Sequence, residues 1–288
     1  MNPAEVTPER EAEGRRAVVA AYEAGYTLFD HADIYCRGVD ERVFGDAMRE
    51  VRGMREWVLV ATKCGIRFAG EPNPDSPHRF DFSAEHILRS CEGSLKRLGV
   101  ETIDLYQLHR PDSLMNPDEV AEAFDKLRTQ GKVREFGVSN FLPGTVAALQ
   151  RACSMPLIVN QLEIHPGRID PFSDGTLDQC LERRMTPIAW SPLGGGLFGD
   201  GSKPADTDPR RDGLLNLLKV LDKAAADYGV TRSIITLAWL LKHPAGILPI
   251  VGSIKPERIR ESVKADAIEM SREDWYRIFV AARMEPLP

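Results

Sequence analysis

Seven points along the chain carry side chains able to do chemistry: Asp30, Lys63, His109, Ser139 with Asn140, Gln161, Trp190 and Ser253. Each ends or directly follows a short apolar run, and parallel barrels place their active sites at the C-terminal ends of strands. Taken singly, each reads more readily as a cap, a turn residue or a solvated charge. Together they describe the rim of a site.

Tyr35 lies five residues after Asp30. A tyrosine hydroxyl has a reference pKa of about 10, so it is a poor acid–base group at neutral pH unless a cation lowers that value. Lys63 is the candidate cation, and Asp30 would hold the lysine charged and in place; each pKa unit is worth about 1.4 kcal/mol. His109 would then hydrogen-bond a carbonyl oxygen from a fixed tautomer and help stabilise a developing alkoxide. Such a set needs no metal and no covalent nucleophile, but it does need a hydride donor. Residues 191–196 (SPLGGG) form a backbone-rich loop that could follow a pyrophosphate, and Lys255 and Arg258 open a helix-like stretch, KPERIRESVKA, suited to a phosphate monoester. Without a function, the same features are a flexible loop and an ordinary solvated helix start. The rival chemistry is a metal-dependent hydrolase using His31, Asp33, His109 and His165, but few of these align as ligands and the Tyr-Lys-Asp set would then have no role.

The elements that must position these residues are read from periodicity. Strands are predicted near 26–30, 57–63, 102–108, 133–138, 157–161, 186–190 and 247–251, separated by amphipathic stretches, which implies βαβ units around a parallel sheet. Helix starts are predicted at Ser83, at Asn116 before Pro117 and at Asp174, and two further helices near 214–228 and 231–242. Residues 65–82, rich in Pro and Gly, read as one long loop overhanging the site, with Phe68, Phe80 and Phe82 as pocket walls.

Composition bounds the function. The chain has 288 residues, 43% of them apolar, enough for one large α/β domain. A net charge of −6 with scattered basic residues gives no footprint for nucleic acid or an anionic membrane. No apolar run approaches the roughly 20 residues of a transmembrane helix, and the N-terminus lacks a signal stretch, so a cytoplasmic protein is expected. Five cysteines without a C-x-x-C pair argue against a disulfide framework or a zinc site, although Cys36 and Cys64 each follow a candidate catalytic residue.

Residues 25–35 (GYTLFDHADIY) resemble the aldo-keto reductase signature of Gly, then Asp-Thr-Ala, then Tyr, with His31 in place of the usual Thr. Further motifs follow in order: KRLGVETIDLYQLHRPD, GKVREFGVSNF, NQLEIHP, AWSPLGGG and PIVGSIKPERIRES. DHADIY with LHRPD is most similar to a bacterial branch of predicted oxidoreductases. The resemblance implies an NADPH-dependent reductase of small-molecule carbonyl compounds, on a single TIM-type (β/α)8 barrel domain over 1–288. It implies Tyr35 as proton donor, Lys63 and Asp30 tuning it, and His109 orienting the carbonyl. Ser139, Asn140 and Gln161 fall on the nicotinamide carboxamide, Trp190 on its ring, and Ser191, Leu193 and Gly194 along the pyrophosphate. Ser253, Lys255 and Arg258 fall at the adenosine 2′-phosphate and Glu261 near the adenine, with Gly252 also among the cofactor-binding positions. Cys36, Gly252 and Ser262 depart from the pattern, which commonly has Gly, Lys and Asn there. A regulatory, NADPH-binding subunit on the same fold is the alternative function.

Family members begin with a barrel strand ahead of the helix that leads into residues 25–35. Here that helix is predicted to start near Thr7 or Pro8, and MNPAEVT is too poor in β-branched apolar residues for a strand of about five to six residues. Seven strands are therefore expected, the first and last, near Leu28 and Leu248, not fully paired. A start codon placed too far downstream would explain the shortfall.

Overall fold

The computed structural model describes residues 6–288. The expectation for the extreme N-terminus lies mostly outside them. The first helix, Pro8–Glu23, begins where capping chemistry dictates: the Thr7 hydroxyl accepts from the Arg10 amide at 3.3 Å, proline opens the helix, and Glu9 and Glu11 face the positive end of its dipole.

Nine strands follow: β1 (Leu28–Asp30), β2 (Leu59–Cys64), β3 (Ile66–Arg67), β4 (Arg79–Phe80), β5 (Ile103–Leu108), β6 (Val133–Ser139), β7 (Leu157–Glu163), β8 (Thr186–Trp190) and β9 (Leu248–Pro249). Seven of them form one sheet in the order β1-β2-β5-β6-β7-β8-β9. The pairs β1·β2, β2·β5, β5·β6 and β8·β9 run parallel, with Asp30 opposite Ala61, Lys63 opposite Gln107 and Ala189 opposite Pro249. This is the sequential strand order of the (β/α)8 class, with the seven strands expected from the sequence and β1 and β9 at its ends. No helix among the described residues is long and apolar enough to cross a membrane.

The chain divides into two compact units, Met1–Asn160 with Ile254–Pro256, and Gln161–Ser253 with Glu257–Pro288. In the first, all six residues of β5 are buried, as expected of a parallel strand covered on both faces. Helix Ala84–Leu98 is capped by the Ser83 hydroxyl on the His86 amide, and Pro117–Thr129 by the Asn116 side chain on the Asp118 amide, both as the sequence predicts. The second unit has an apolar core of Leu214, Leu217, Leu221, Ile235 and Trp239. There Trp239 and Trp275 stack at 5.5 Å, and each indole N–H donates to the other's backbone carbonyl, at 3.2 and 3.0 Å.

Two expectations are corrected, and the Asp174 start signal holds. Residues 65–82 are not one irregular loop, because β3 and β4 pair antiparallel across them. Phe82 does not line a pocket: it is 2% exposed and stacks on Phe141, its ring so close to Gly65 that a Cβ there would lie 2.2 Å from it. Helix Thr176–Arg183 is entered through Gly175 in a left-handed conformation, and Asp174, one residue earlier, accepts from the Thr176 amide at 2.8 Å.

Candidate active site

Four of the sequence-predicted residues meet in the first unit. Asp30 ends β1, Lys63 is the penultimate residue of β2 and His109 directly follows β5. Their strands are neighbours in the sheet, so the side chains are brought together by register alone. The Lys63 ammonium is fully buried; it donates to Asp30 Oδ2 at 2.6 Å and to the His31 carbonyl at 2.7 Å. A buried ammonium without such partners would be driven to neutrality. Tyr35 stands next to this pair, with Lys63 Nζ 5.1 Å from its ring centroid and the His109 ring edge-on at 5.7 Å.

Burial holds the His109 imidazole down at about 3, with the Lys63 and Arg110 charges adding to the effect. At neutral pH it is therefore uncharged: it can donate a hydrogen bond to an oxygen, but it has no spare proton to transfer. Its Nδ1 is buried with no hydrogen-bond partner among the described residues. The Asn140 side chain donates to the His109 carbonyl at 3.4 Å and to Ser139 Oγ at 2.8 Å, so the end of β6 is tied to the end of β5.

The turn carrying Tyr35 is unusual. Cys36 and Arg37, neither a glycine, adopt left-handed backbone at φ 47° and 55°, followed by Gly38 at 86°. Such a conformation costs a side-chain-bearing residue roughly 1–2 kcal/mol, and strain of this kind gathers at functional sites. Cys36 thus keeps the backbone that Gly would take more cheaply. Cys64 is fully buried, and burial pushes its thiol well above the ordinary range, so it is a poor nucleophile.

Residues missed in the sequence support this set. Gln107 Nε2 donates to Asp30 Oδ1 at 3.4 Å. It lies two positions before His109, and residues i and i+2 of a strand share a face, so that spacing was the available signal. Behind the turn, Glu41 is fully buried, accepting from Thr62 Oγ1 and from Arg97 Nε, each at 2.6 Å. Beside it, burial and then the Glu41 charge push Asp33 up to about 7. The His31 ring, where the resemblance has Thr, packs on Phe44 at 4.5 Å, and burial lowers it to about 4.

The second unit carries Gln161, Trp190, Ser191, Leu193, Gly194, Gly252, Ser253, Arg258 and Glu261, while Lys255 belongs to the first. Trp190 ends β8, and Ser191 turns the chain at φ 49° into three left-handed glycines, Gly194, Gly195 and Gly196. A Cβ on Gly194 would lie 2.8 Å from the Phe198 ring, so packing forbids one. Gly195 and Gly196 face open space, where a ligand could approach the bare backbone closely. Arg232 fixes the end of this loop, its guanidinium paired with Asp222 at 2.6 Å and donating to the carbonyls of Gly199 and Ser202, both at 3.0 Å. Arg258 and Lys255 are exposed, flanking the start of the short helix Pro256–Ser262. This donor set, with cations for a phosphate and an exposed glycine backbone for a pyrophosphate, fits a phosphorylated dinucleotide.

The sequential strand order and, in the first unit, a buried Lys–Asp pair beside a tyrosine at the strand ends are features of an oxidoreductase of the barrel class. The profile of the Aldo/keto reductase family matches residues 3–281, and the chain belongs to that family, whose members are NADPH-dependent enzymes acting on carbonyl and CH–OH groups. It is 40% identical over 285 residues to a 6-dehydroglucose reductase of Novosphingobium aromaticivorans, covering 96% of this chain and 88% of that one. It is 41% identical to the Escherichia coli oxidoreductase YdhF, covering 90% of this chain and 84% of the relative. Among solved structures, the glycerol dehydrogenase AKR11B4 from Gluconobacter oxydans superposes with a TM-score of 0.85 at 26% identity, over 98% of this chain and 89% of that one. An aldo/keto reductase from Klebsiella pneumoniae, solved with NADP and acetate, gives 0.78 at 26% identity, over 98% and 89%.

Proposed function

We propose that this chain reduces aldehydes or ketones to alcohols, with residues 1–288 acting as one domain and Tyr35 as the proton donor. NADPH, when bound, supplies the hydride to the carbonyl carbon. The chain's own residues do the rest. His109, uncharged, donates a hydrogen bond to the carbonyl oxygen and aligns it; Tyr35 gives that oxygen its proton as negative charge builds on it. Lys63 favours the tyrosinate left behind, and Asp30 keeps Lys63 charged and aimed. The observation that carries this reading is the fully buried ammonium of Lys63, held 2.6 Å from Asp30 and over the Tyr35 ring.

For the cofactor, Ser139, Asn140 and Gln161 would hold the carboxamide, Trp190 the nicotinamide ring, and Ser191, Leu193 and Gly194 the pyrophosphate. Ser253, Lys255 and Arg258 would take the 2′-phosphate and Glu261 the adenine, with Gly252 also against the cofactor. One relative is a 6-dehydroglucose reductase, which makes 6-dehydroglucose the first substrate to test. A cytoplasmic setting, without nucleic-acid or membrane partners, belongs to the same proposal; the net charge of −6, with no basic cluster, supports it.

The test is NADPH oxidation with a reactive aldehyde and with 6-dehydroglucose, by the unaltered chain and by Tyr35→Phe. Turnover should fall by orders of magnitude in the variant while NADPH affinity is kept, because the proton is needed in the transition state and not for binding. A variant with near wild-type turnover would remove Tyr35 from the role of acid.

A further inference from the structure

The turn after Tyr35 is gripped from two sides by residues outside the catalytic set. On the inner side, a Cβ on Gly38 would lie 2.5 Å from Arg97 Cδ, and Arg97 is itself held by the buried Glu41 at 2.6 Å. On the outer side, the Arg37 guanidinium lies over the Phe68 ring, 4.7 Å from its centroid, and pairs with Glu71 at 2.6 Å. Phe68 and Glu71 belong to the stretch between β3 and β4, which is anchored in turn. Arg67 pairs with Asp81 at 2.9 Å, the Phe82 amide donates to Asp112 Oδ2 at 3.0 Å, and Arg79 donates to the Glu71 carbonyl at 2.7 Å.

A continuous mechanical path therefore runs from the buried Phe82 through the hairpin to Arg37, two residues from Tyr35. The path has something to hold. Cys36 and Arg37 both have right-handed and extended alternatives open to them at lower backbone energy, and rotation of either would redirect the Tyr35–Cys36 peptide and the ring above it. The turn's own backbone bonds, Tyr35 N–H to Ala32, Arg37 N–H to Ile34 and Val39 N–H to Cys36, stay within residues 32–39. An exposed ion pair alone would do little. Here it is combined with a stacked guanidinium, whose planar fork can do both at once.

We propose that Arg37 is a positioning residue for the reduction: clamped on Phe68 and Glu71, it locks the left-handed turn after Tyr35 to the 65–82 hairpin and so fixes the donor hydroxyl at the carbonyl oxygen. This rests on Tyr35 being the proton donor. A displacement of about 1 Å at a reacting group can cost as much as a hundredfold in rate. The clamp acts on the chemical step and leaves cofactor binding alone.

The experiment is steady-state reduction of a reactive aldehyde by Arg37→Ala, Arg37→Lys, Glu71→Gln and Tyr35→Phe, with kcat followed against pH. Arg37→Ala should lower kcat about tenfold, with the KM for NADPH unchanged and the basic limb of the kcat profile displaced, because Tyr35 no longer sits squarely by Lys63. Lys keeps the charge but not the stack, so Arg37→Lys should recover only part of the loss. Glu71→Gln should lose a few-fold, and the Arg37→Ala, Glu71→Gln double variant no more than Arg37→Ala alone, since one clamp is being removed twice. Wild-type kcat and pH profile in Arg37→Ala, or in Glu71→Gln should Arg37→Ala not fold, overturn the clamp. Tyr35→Phe separates the two readings: if it turns over normally the donor assignment itself fails, whereas an inactive Tyr35→Phe beside an unaffected Arg37→Ala sinks the clamp alone.

Discussion

The two compact units bury different things. The first sets charge and polar groups inside its apolar core: Lys63, Glu41 and Gln107 are completely enclosed, with His31, Asp104 and His109 nearly so. The second hides mainly hydrocarbon and indole, built around Trp239, with Arg232 as its buried cation. Buried ion pairs seldom stabilise more than an apolar replacement would, whereas apolar packing does so directly. The difference therefore separates what is kept for chemistry from what is kept for stability, and it can be broken experimentally.

Lys63→Met is expected to have the largest effect. It should abolish the Tyr35 chemistry by orders of magnitude and, by leaving Asp30 buried without its cation, cost about 3–5 kcal/mol in stability. Turnover and denaturant melts check both halves. A variant that folds normally yet keeps its rate would show that this buried charge serves neither purpose.

Trp239→Ala is the complementary break. Loss of the indole, with its stacking on Trp275 and its N–H bond to the Trp275 carbonyl, should cost about 3–5 kcal/mol, while kcat per folded molecule at low temperature stays as in the parent. A selective fall in kcat without destabilisation would mean that the second unit's core takes part in the chemistry.

The pH dependence sharpens the contrast. In the first unit burial lowers His31 and His86 to about 4 and His109 to about 3, so each takes up a proton more readily once unfolded. Their contribution is intact above the ordinary histidine value near 6.5 and is lost as pH falls toward those lowered values, at about 1.4 kcal/mol per unit for each group. Asp33, raised to about 7, works the other way, since its protonated form is the one that the fold prefers and stability is lost as pH rises from about 4 to 7. One carboxyl offsets one histidine, which leaves a net loss on acidification from pH 6.5 to pH 4. Thermal melts across that range should fall less steeply for His86→Asn than for the parent chain. An unchanged slope would show that His86 is not the group taking up the proton.

The smallest expected effect concerns Cys36. Gly adopts φ 47° freely, so Cys36→Gly should raise stability by about 1 kcal/mol without raising turnover. A loss of stability would mean that the thiol's packing outweighs the relief of backbone strain.

Much of this protein is local enough to be legible in the sequence. Thr7, Ser83 and Asn116 announce their helices because a cap needs only a side chain and an amide two or three residues on. The sheet strands are legible because a buried parallel strand needs a run of β-branched and apolar residues. The positions of Asp30, Lys63 and His109 follow from where those runs stop. Strands as short as β3 and β4, two residues each, leave no periodicity to read, so the hairpin in 65–82 exists only through its pairing. Phe82, set down as a pocket wall, is claimed by the core because Gly65 leaves room for its ring. The left-handed turn after Tyr35 runs against the local preferences of Cys36 and Arg37, and it stands because Arg97, Phe68 and Glu71, far away in the chain, surround it. Sequence alone settled which residues could do the chemistry and on which strand ends they stand. The neutral state of His109 and the set of the turn that carries Tyr35 were decided by tertiary structure, because burial and long-range contacts outweigh the one or two kcal/mol of local preference.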